Sequence, residues 1–158
     1  MIELAKNCFR TTESRTLSKV EAARQQLEGA IANLFLGNWA CAITLAGAAE
    51  DMLPAVEGKE DLYGVAKSIG SNHFQMTGKE THDFLNDQLI WLKHKTVNKP
   101  TTKKFQQDDA IIMIIRGLTR LKSTIEKTSP NMDLFVEWIS KEYPNYMTET
   151  NALPHGTL

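Results

Sequence analysis

The segment Gly37-Asn-Trp-Ala-Cys-Ala-Ile-Thr-Leu-Ala-Gly-Ala-Ala-Glu-Asp-Met-Leu-Pro54 is small or apolar at almost every position until an acid pair closes it. A helix of this composition has almost no polar side to offer to water, so it must be surrounded by other helices. Ala42, Ala46 and Ala49 share one face, and Ala40, Gly47 and Ala48 lie around the others, which lets neighbouring backbones approach closely. Pro54 lacks a backbone N–H and disfavours helical geometry in the residue before it, so the helix is expected to end near Met52. The fold class this implies is all-α: a compact bundle of about five to six helices around one enclosed segment.

The flanking sequence supplies the other members. Ser18-x-x-Glu21 has the form of a capping box, and Val20, Ala23, Leu27, Ile31 and Leu34 follow at three- and four-residue steps, the face of a long first helix. Gly37 suits the left-handed position that ends it and Asn38 can cap the next, so helices 1 and 2 should form an antiparallel hairpin. A shorter third helix is expected over about 59–69, with Leu62, Val65, Ala66 and Ile69 inward and Gly70 as terminator. Thr77-x-x-Glu80 offers another cap, after which Phe84, Leu85, Leu89 and Leu92 carry a fourth helix toward Lys95, with Trp91 on an adjoining stripe.

Asp108 opens a fifth helix. Its run Ala110-Ile111-Ile112-Met113-Ile114-Ile115 has the β-branched character of a strand. The 3-4-3-4 spacing of Ile111, Ile114, Leu118, Leu121 and Ile125 continues beyond normal strand length, however, and predicts a helix of roughly 20 residues. Ser129-Pro130 starts the last helix, whose apolar side is Phe135, Trp138 and Ile139. The expected organisation is an N-terminal arm over 1–17, one helical-bundle domain over 18–143 and a loose tail over 144–158.

With 158 residues, 42% of them hydrophobic, the chain can bury a core without staples. Eighteen Lys and Arg against 19 Asp and Glu leave a net charge of -1, which gives no global attraction to nucleic acid or membrane. The start Met1-Ile2-Glu3-Leu4-Ala5-Lys6 does not have the form of an export signal, and no apolar run reaches about 18 residues. Cys8 lies in a polar leader and Cys41 in the most apolar helix, contexts that argue against a designed bridge and for a reduced, cytoplasmic compartment.

Several chemistries find no support. A di-metal carboxylate bundle needs Glu-x-x-His pairs, but Gly70, Lys79, Trp91 and Ala152 stand three residues before His73, His82, His94 and His155. Two separated cysteines do not make a zinc site, and there is no Gly-x-Ser-x-Gly elbow, P-loop or Gly-x-Gly-x-x-Gly turn. The expectation is therefore no catalytic residue, no metal and no cofactor.

Three features remain as candidate sites. Glu50 and Asp51 sit at the carboxyl end of the second helix, where the dipole disfavours anions, and so invite a cationic partner or ligand; a solvent-exposed helix end is the alternative. Asp87, Ile90, Trp91 and His94 share a face of the fourth helix, so Asp87 and His94 are candidates to line one groove, although two turns, about 10 Å, separate them. The alternative for His94 is an ordinary histidine favoured by the helix end. From Gln88 to Gln107 the chain carries Lys93, Lys95, Lys99, Lys103 and Lys104 and no acid, with Trp91 and Phe105 nearby, a combination that suits phosphates and a stacked base. A solvated loop is the alternative, since Arg is missing from the segment. Trp91, Ile112 and Met113 lie off the main stripes and are candidates for a self-association surface on helices 4 and 5, with intramolecular core as the alternative.

The helix order, together with Gln25-Gln26-Leu27-Glu28-Gly29-Ala30-Ile31, Ala42-Ile43-Thr44-Leu45-Ala46-Gly47-Ala48-Ala49-Glu50 and Leu92-Lys93-His94, resembles a group of small bacterial proteins similar to the HEPN superfamily, over about residues 18–140. The resemblance implies a compact helical bundle, often dimeric, and in many members a ribonuclease motif of Arg, four to six residues, then His. His94 would be the motif histidine. The matching Arg positions hold Asp87, Gln88 and Leu89, and a carboxylate repels the phosphate that an Arg would neutralise. The resemblance thus implies the scaffold without the nuclease: a bacterial binding module, expected to be a homodimer, with RNA or nucleotide binding as the alternative.

Overall fold

The computed structural model describes residues 14–56, 77–94, 100–125 and 127–143. They form six helices, α1 Lys19–Phe35, α2 Trp39–Met52, α3 Gly78–Leu85, α4 Asp87–Lys93, α5 Gln107–Lys122 and α6 Pro130–Glu142, and no strand. The expected 59–69 helix, most of the N-terminal arm and the tail from 144 lie outside the described residues, as do Lys95 and Lys99.

Local sequence sets most of the boundaries. Ser18 and Glu21 form the reciprocal cap of α1: the Glu21 amide donates to Ser18 Oγ (3.2 Å), and the Ser18 amide and hydroxyl each donate to Glu21 Oε2 at 2.8 Å, which holds the Glu21 carboxyl below its ordinary range. Thr77 and Glu80 repeat the device at α3, where the Thr77 amide holds the Glu80 carboxyl low in the same way. Gly37, at φ 76°, turns α1 into α2 within three residues, since the left-handed region strains any side chain with a Cβ. Asn38 stands at the N-cap of α2 without a side-chain capping bond, and its side-chain Nδ2 reaches Asn33 Oδ1 at 3.4 Å instead. Ser129 caps α6 by accepting from the Met132 amide, with Pro130 in the first turn.

Packing is organised around α2, which lies mainly against α1 and α5 and takes α4 on a third side, while α6 attaches to α1. Ala42, Ile43, Ala46 and Ala49 have no exposed surface at all. They meet Leu27 and Ile31 of α1 and Ile111 and Ile114 of α5 in one core. Each fully buried leucine or isoleucine side chain among them contributes about 1.5–3 kcal/mol. Among the described residues the helices that pack on α2 leave one side of it uncovered. Cys41, Thr44 and Asp51 form an exposed stripe at helical spacing, because three neighbours cover only part of a cylinder and no helix among the described residues packs on the remaining side.

Two further expectations need correcting. The single fourth helix is two helices, with Asn86 between them at φ -114°, ψ 9°, where its side chain bonds both to the His82 carbonyl of α3 and to Arg116 of α5. The fifth helix has 16 residues rather than about 20, since Ser123 ends it and Ile125 lies past the last turn.

Candidate functional site

Glu50 is the centre of the most unusual chemistry in the molecule. It ends the Ile43–Gly47–Glu50 face of α2, is 3% exposed, and lies opposite two arginines of α5. Arg116, itself 4% exposed, grips the carboxylate with two nitrogens: Nη2 stands 2.7 Å from Oε2, and Nε donates to Oε1 at 3.2 Å. Arg120 adds Nη2 at 3.3 Å from Oε1, and its Nη1 donates to the Glu50 main-chain carbonyl at 3.1 Å. That carbonyl lies in the last turn of α2, where helical acceptors lack partners and a cation is favoured.

Arg116 also organises the break between α3 and α4. Its Nη1 donates to the Leu85 carbonyl and its Nη2 to Asn86 Oδ1, each at 3.0 Å, while Asn86 Nδ2 donates to the His82 carbonyl at 2.9 Å. One guanidinium therefore ties the end of α2 to the junction of α3 and α4. Burial pushes the Glu50 carboxyl above its ordinary range, and the charges of Arg116 and Arg120 oppose that shift. Burying the carboxylate carries a desolvation cost, which its two arginine partners and their hydrogen bonds offset in part. Sequence reasoning pointed to Glu50 and its need for a cation but missed Arg116, Arg120 and Asn86. The available signal was the stripe Met113–Arg116–Gly117–Arg120, which continues the face that Met113 begins.

The other candidate residues are separated. Asp51 is exposed and pairs with Lys93 at 2.8 Å, an interaction weak in water. Asp87 pairs with Lys103, whereas His94 is exposed at the opposite end of α4, so the two do not line a common groove. Lys104 is exposed. Met113 is 4% exposed inside the core and has no surface to give to a partner, which removes it as an interface residue. Trp91 is half-buried, with its ring 5.8 Å from that of Phe105 and its Nε1 donating to the Pro100 carbonyl at 3.0 Å. Only Ile112 of the three is exposed, at 37%.

More apolar surface lies at the other side of the bundle. Phe35, Leu36 and Leu134 are 54%, 73% and 61% exposed. A groove of about 230 Å³ between α1 and α6 is lined by Ile31, Ala32, Phe35 and Leu134, with Asn131 donating to Glu28 at its edge. Among the described residues no group of His, Cys, Asp and Glu is arranged to hold a metal ion, and no helix is long and apolar enough to cross a membrane. Comparison of the chain with protein-family models, with curated proteins and with solved structures finds no match.

Proposed function

We propose that this chain is a cytoplasmic, non-catalytic binding module on a HEPN-like helical scaffold, and that it self-associates. The observation that carries the reading is the apolar end of the bundle, where Phe35, Leu36 and Leu134 are each more than half exposed beside a groove with apolar walls. The charged residues that a catalytic reading would recruit are meanwhile occupied: Glu50 by two arginines, Asp51 by Lys93 and Asp87 by Lys103. A second copy offers the same apolar patch in return, the self-complementarity that a two-fold dimer requires. Sedimentation at tens of micromolar is expected to give twice the mass of the chain, and Leu36→Glu with Leu134→Glu is expected to return a folded monomer. A wild-type protein that stays strictly monomeric overturns the reading.

One observation favours a second reading, RNA or nucleotide binding by Lys93, Lys95, Lys99, Lys103 and Lys104. Trp91 and Phe105 lie together beside Lys103 and Lys104, a stacking surface next to positive charge. Against it, Lys93 and Lys103 already hold carboxylates. Affinity for a single-stranded RNA that falls steeply with salt supports this second reading, and binding that ignores salt discards it.

A further inference from the structure

Residues 100–106 run across α4 without forming helix or strand, and their ties to it are polar or edge-on. Trp91 Nε1 donates to the Pro100 carbonyl, and the Phe105 ring meets the indole at 68°, edge to face. Lys103 Nζ pairs with the Asp87 carboxylate and approaches the Asp87 carbonyl at 3.4 Å. Gln88 Nε2 donates to Asp109 Oδ2 at 3.2 Å and approaches the Lys104 carbonyl at 3.5 Å. Thr101, Thr102, Lys104 and Gln106 are exposed, while Phe105 is half-buried and packs against the core, so a single aromatic side chain anchors a segment that otherwise lies on the bundle.

Closure leaves one defect. Gln88 Oε1 is buried with no donor among the described residues, and turning the amide over does not help, because its Nε2 faces two acceptors. A buried carbonyl that has lost its hydration without gaining a donor opposes the closed arrangement. The Lys103–Asp87 pair favours it; the lysine side chain is 18% exposed and the aspartate 53%. The Phe105 contact and a partly solvated ion pair, which salt weakens, therefore hold the segment closed, against an acceptor that water would satisfy.

We propose that residues 100–106 are a strap that opens and closes over Gln88 and Trp91 of α4, with Lys103 and Asp87 as its latch. Opening hydrates the Gln88 carbonyl and separates the half-buried Trp91 and Phe105 rings, so more of each aromatic face becomes available than in the closed state. The latch responds to ionic competition: salt or a polyanion that draws Lys103 from Asp87 shifts the strap toward the open form. The device is independent of the self-association reading, since it lies on α4 and not on the α1–α6 groove.

The Trp91 indole N–H reports the strap directly, because its acceptor is the Pro100 carbonyl. In the full-length protein its NMR signal is assigned by its loss in Trp91→Phe, and its hydrogen exchange is followed with rising sodium chloride in wild type, Asp87→Asn and Lys103→Met. Each latch variant is expected to speed exchange about threefold, the size of an exposed ion pair. Salt should speed it in wild type and add little in either variant, while the amides of α2, α4 and α5 keep their rates. The proposal is overturned if the indole exchanges no faster than the α2 amides, if neither variant nor salt changes its rate, or if the α4 amides accelerate with it, which would mean that α4 itself unfolds.

Discussion

Arg116→Ala is expected to destabilise the fold by about 3–5 kcal/mol, the range for breaking a buried ion pair by removing one partner. The loss has two parts. Glu50, 3% exposed, keeps a carboxylate whose bidentate partner is gone, and the Leu85 carbonyl and Asn86 Oδ1 lose the donors that set the α3–α4 break. Glu50→Ala should cost a similar amount, because Arg116 is then a buried cation without its carboxylate. Glu50→Gln, which keeps an oxygen acceptor for Arg116, should cost less than Glu50→Ala. The double variant Glu50→Gln with Arg116→Met should cost clearly less than the sum of its single changes, since the residues are in direct contact. Urea unfolding of these variants, with Arg116→Met alone to complete the cycle, measures this.

The same residue sets a pH dependence whose sign is fixed. Burial raises the folded-state affinity of the Glu50 carboxyl for a proton above that of the unfolded chain, whose ordinary value is 4.5. The stability this group contributes is fully present below the unfolded value and is lost as pH rises through the higher, folded one. Glu50→Gln has no proton to exchange and should remove that part of the pH profile. A wild-type profile in which Glu50→Gln changes nothing between about pH 4 and pH 7 would show that the carboxyl is not desolvated.

Gly47→Val should cost about 1–3 kcal/mol through overpacking, even though glycine is the poorest helix former after proline. A Cβ at this position falls 2.6 and 2.7 Å from the Leu89 methyls and 3.2 Å from its Cγ, too close for the branch to remain where it is. Leu89 is 5% exposed and belongs to the core, so it has little free space to turn into. Leu89→Ala alone should cost about 2–5 kcal/mol by leaving a cavity, and combining it with Gly47→Val should cost less than the two together, as the valine fills that space. Thermal denaturation of the three variants checks the sign of the coupling. Gly117 makes the same kind of close approach to Leu27 between α5 and α1, so both glycines act as sockets for leucines.

The contrast between these sites shows what a single sequence makes legible. Caps and stops could be read because each depends on residues at most three positions apart or on one residue's own backbone: Ser18 with Glu21, Thr77 with Glu80, Ser129 with Pro130, Gly37 at its turn and Pro54 beyond α2. The all-α class and the α1–α2 hairpin followed from the same local signals plus helical periodicity. The ion cluster did not follow, because Arg116 and Arg120 are 66 and 70 residues from Glu50 and nothing local couples them. Asn86 was hidden for a related reason. The spacing of Phe84, Leu85, Leu89 and Leu92 runs through it as one helix, and only Arg116, 30 residues on, gives its side chain a reason to leave that pattern. Met113 misled in the opposite direction: an apolar residue off the main stripe of α5 met a second surface within its own chain, not on a partner.

Native-state hydrogen exchange of the α2 amides between Gly47 and Glu50 tests most directly the claim that the bundle is built around α2 and closed by the Glu50–Arg116 cluster. These amides are predicted to exchange only through global unfolding, with the same free energy as the α5 amides around Arg116. Exchange of the α2 amides in a separate opening, several kcal/mol below the global value, would contradict it.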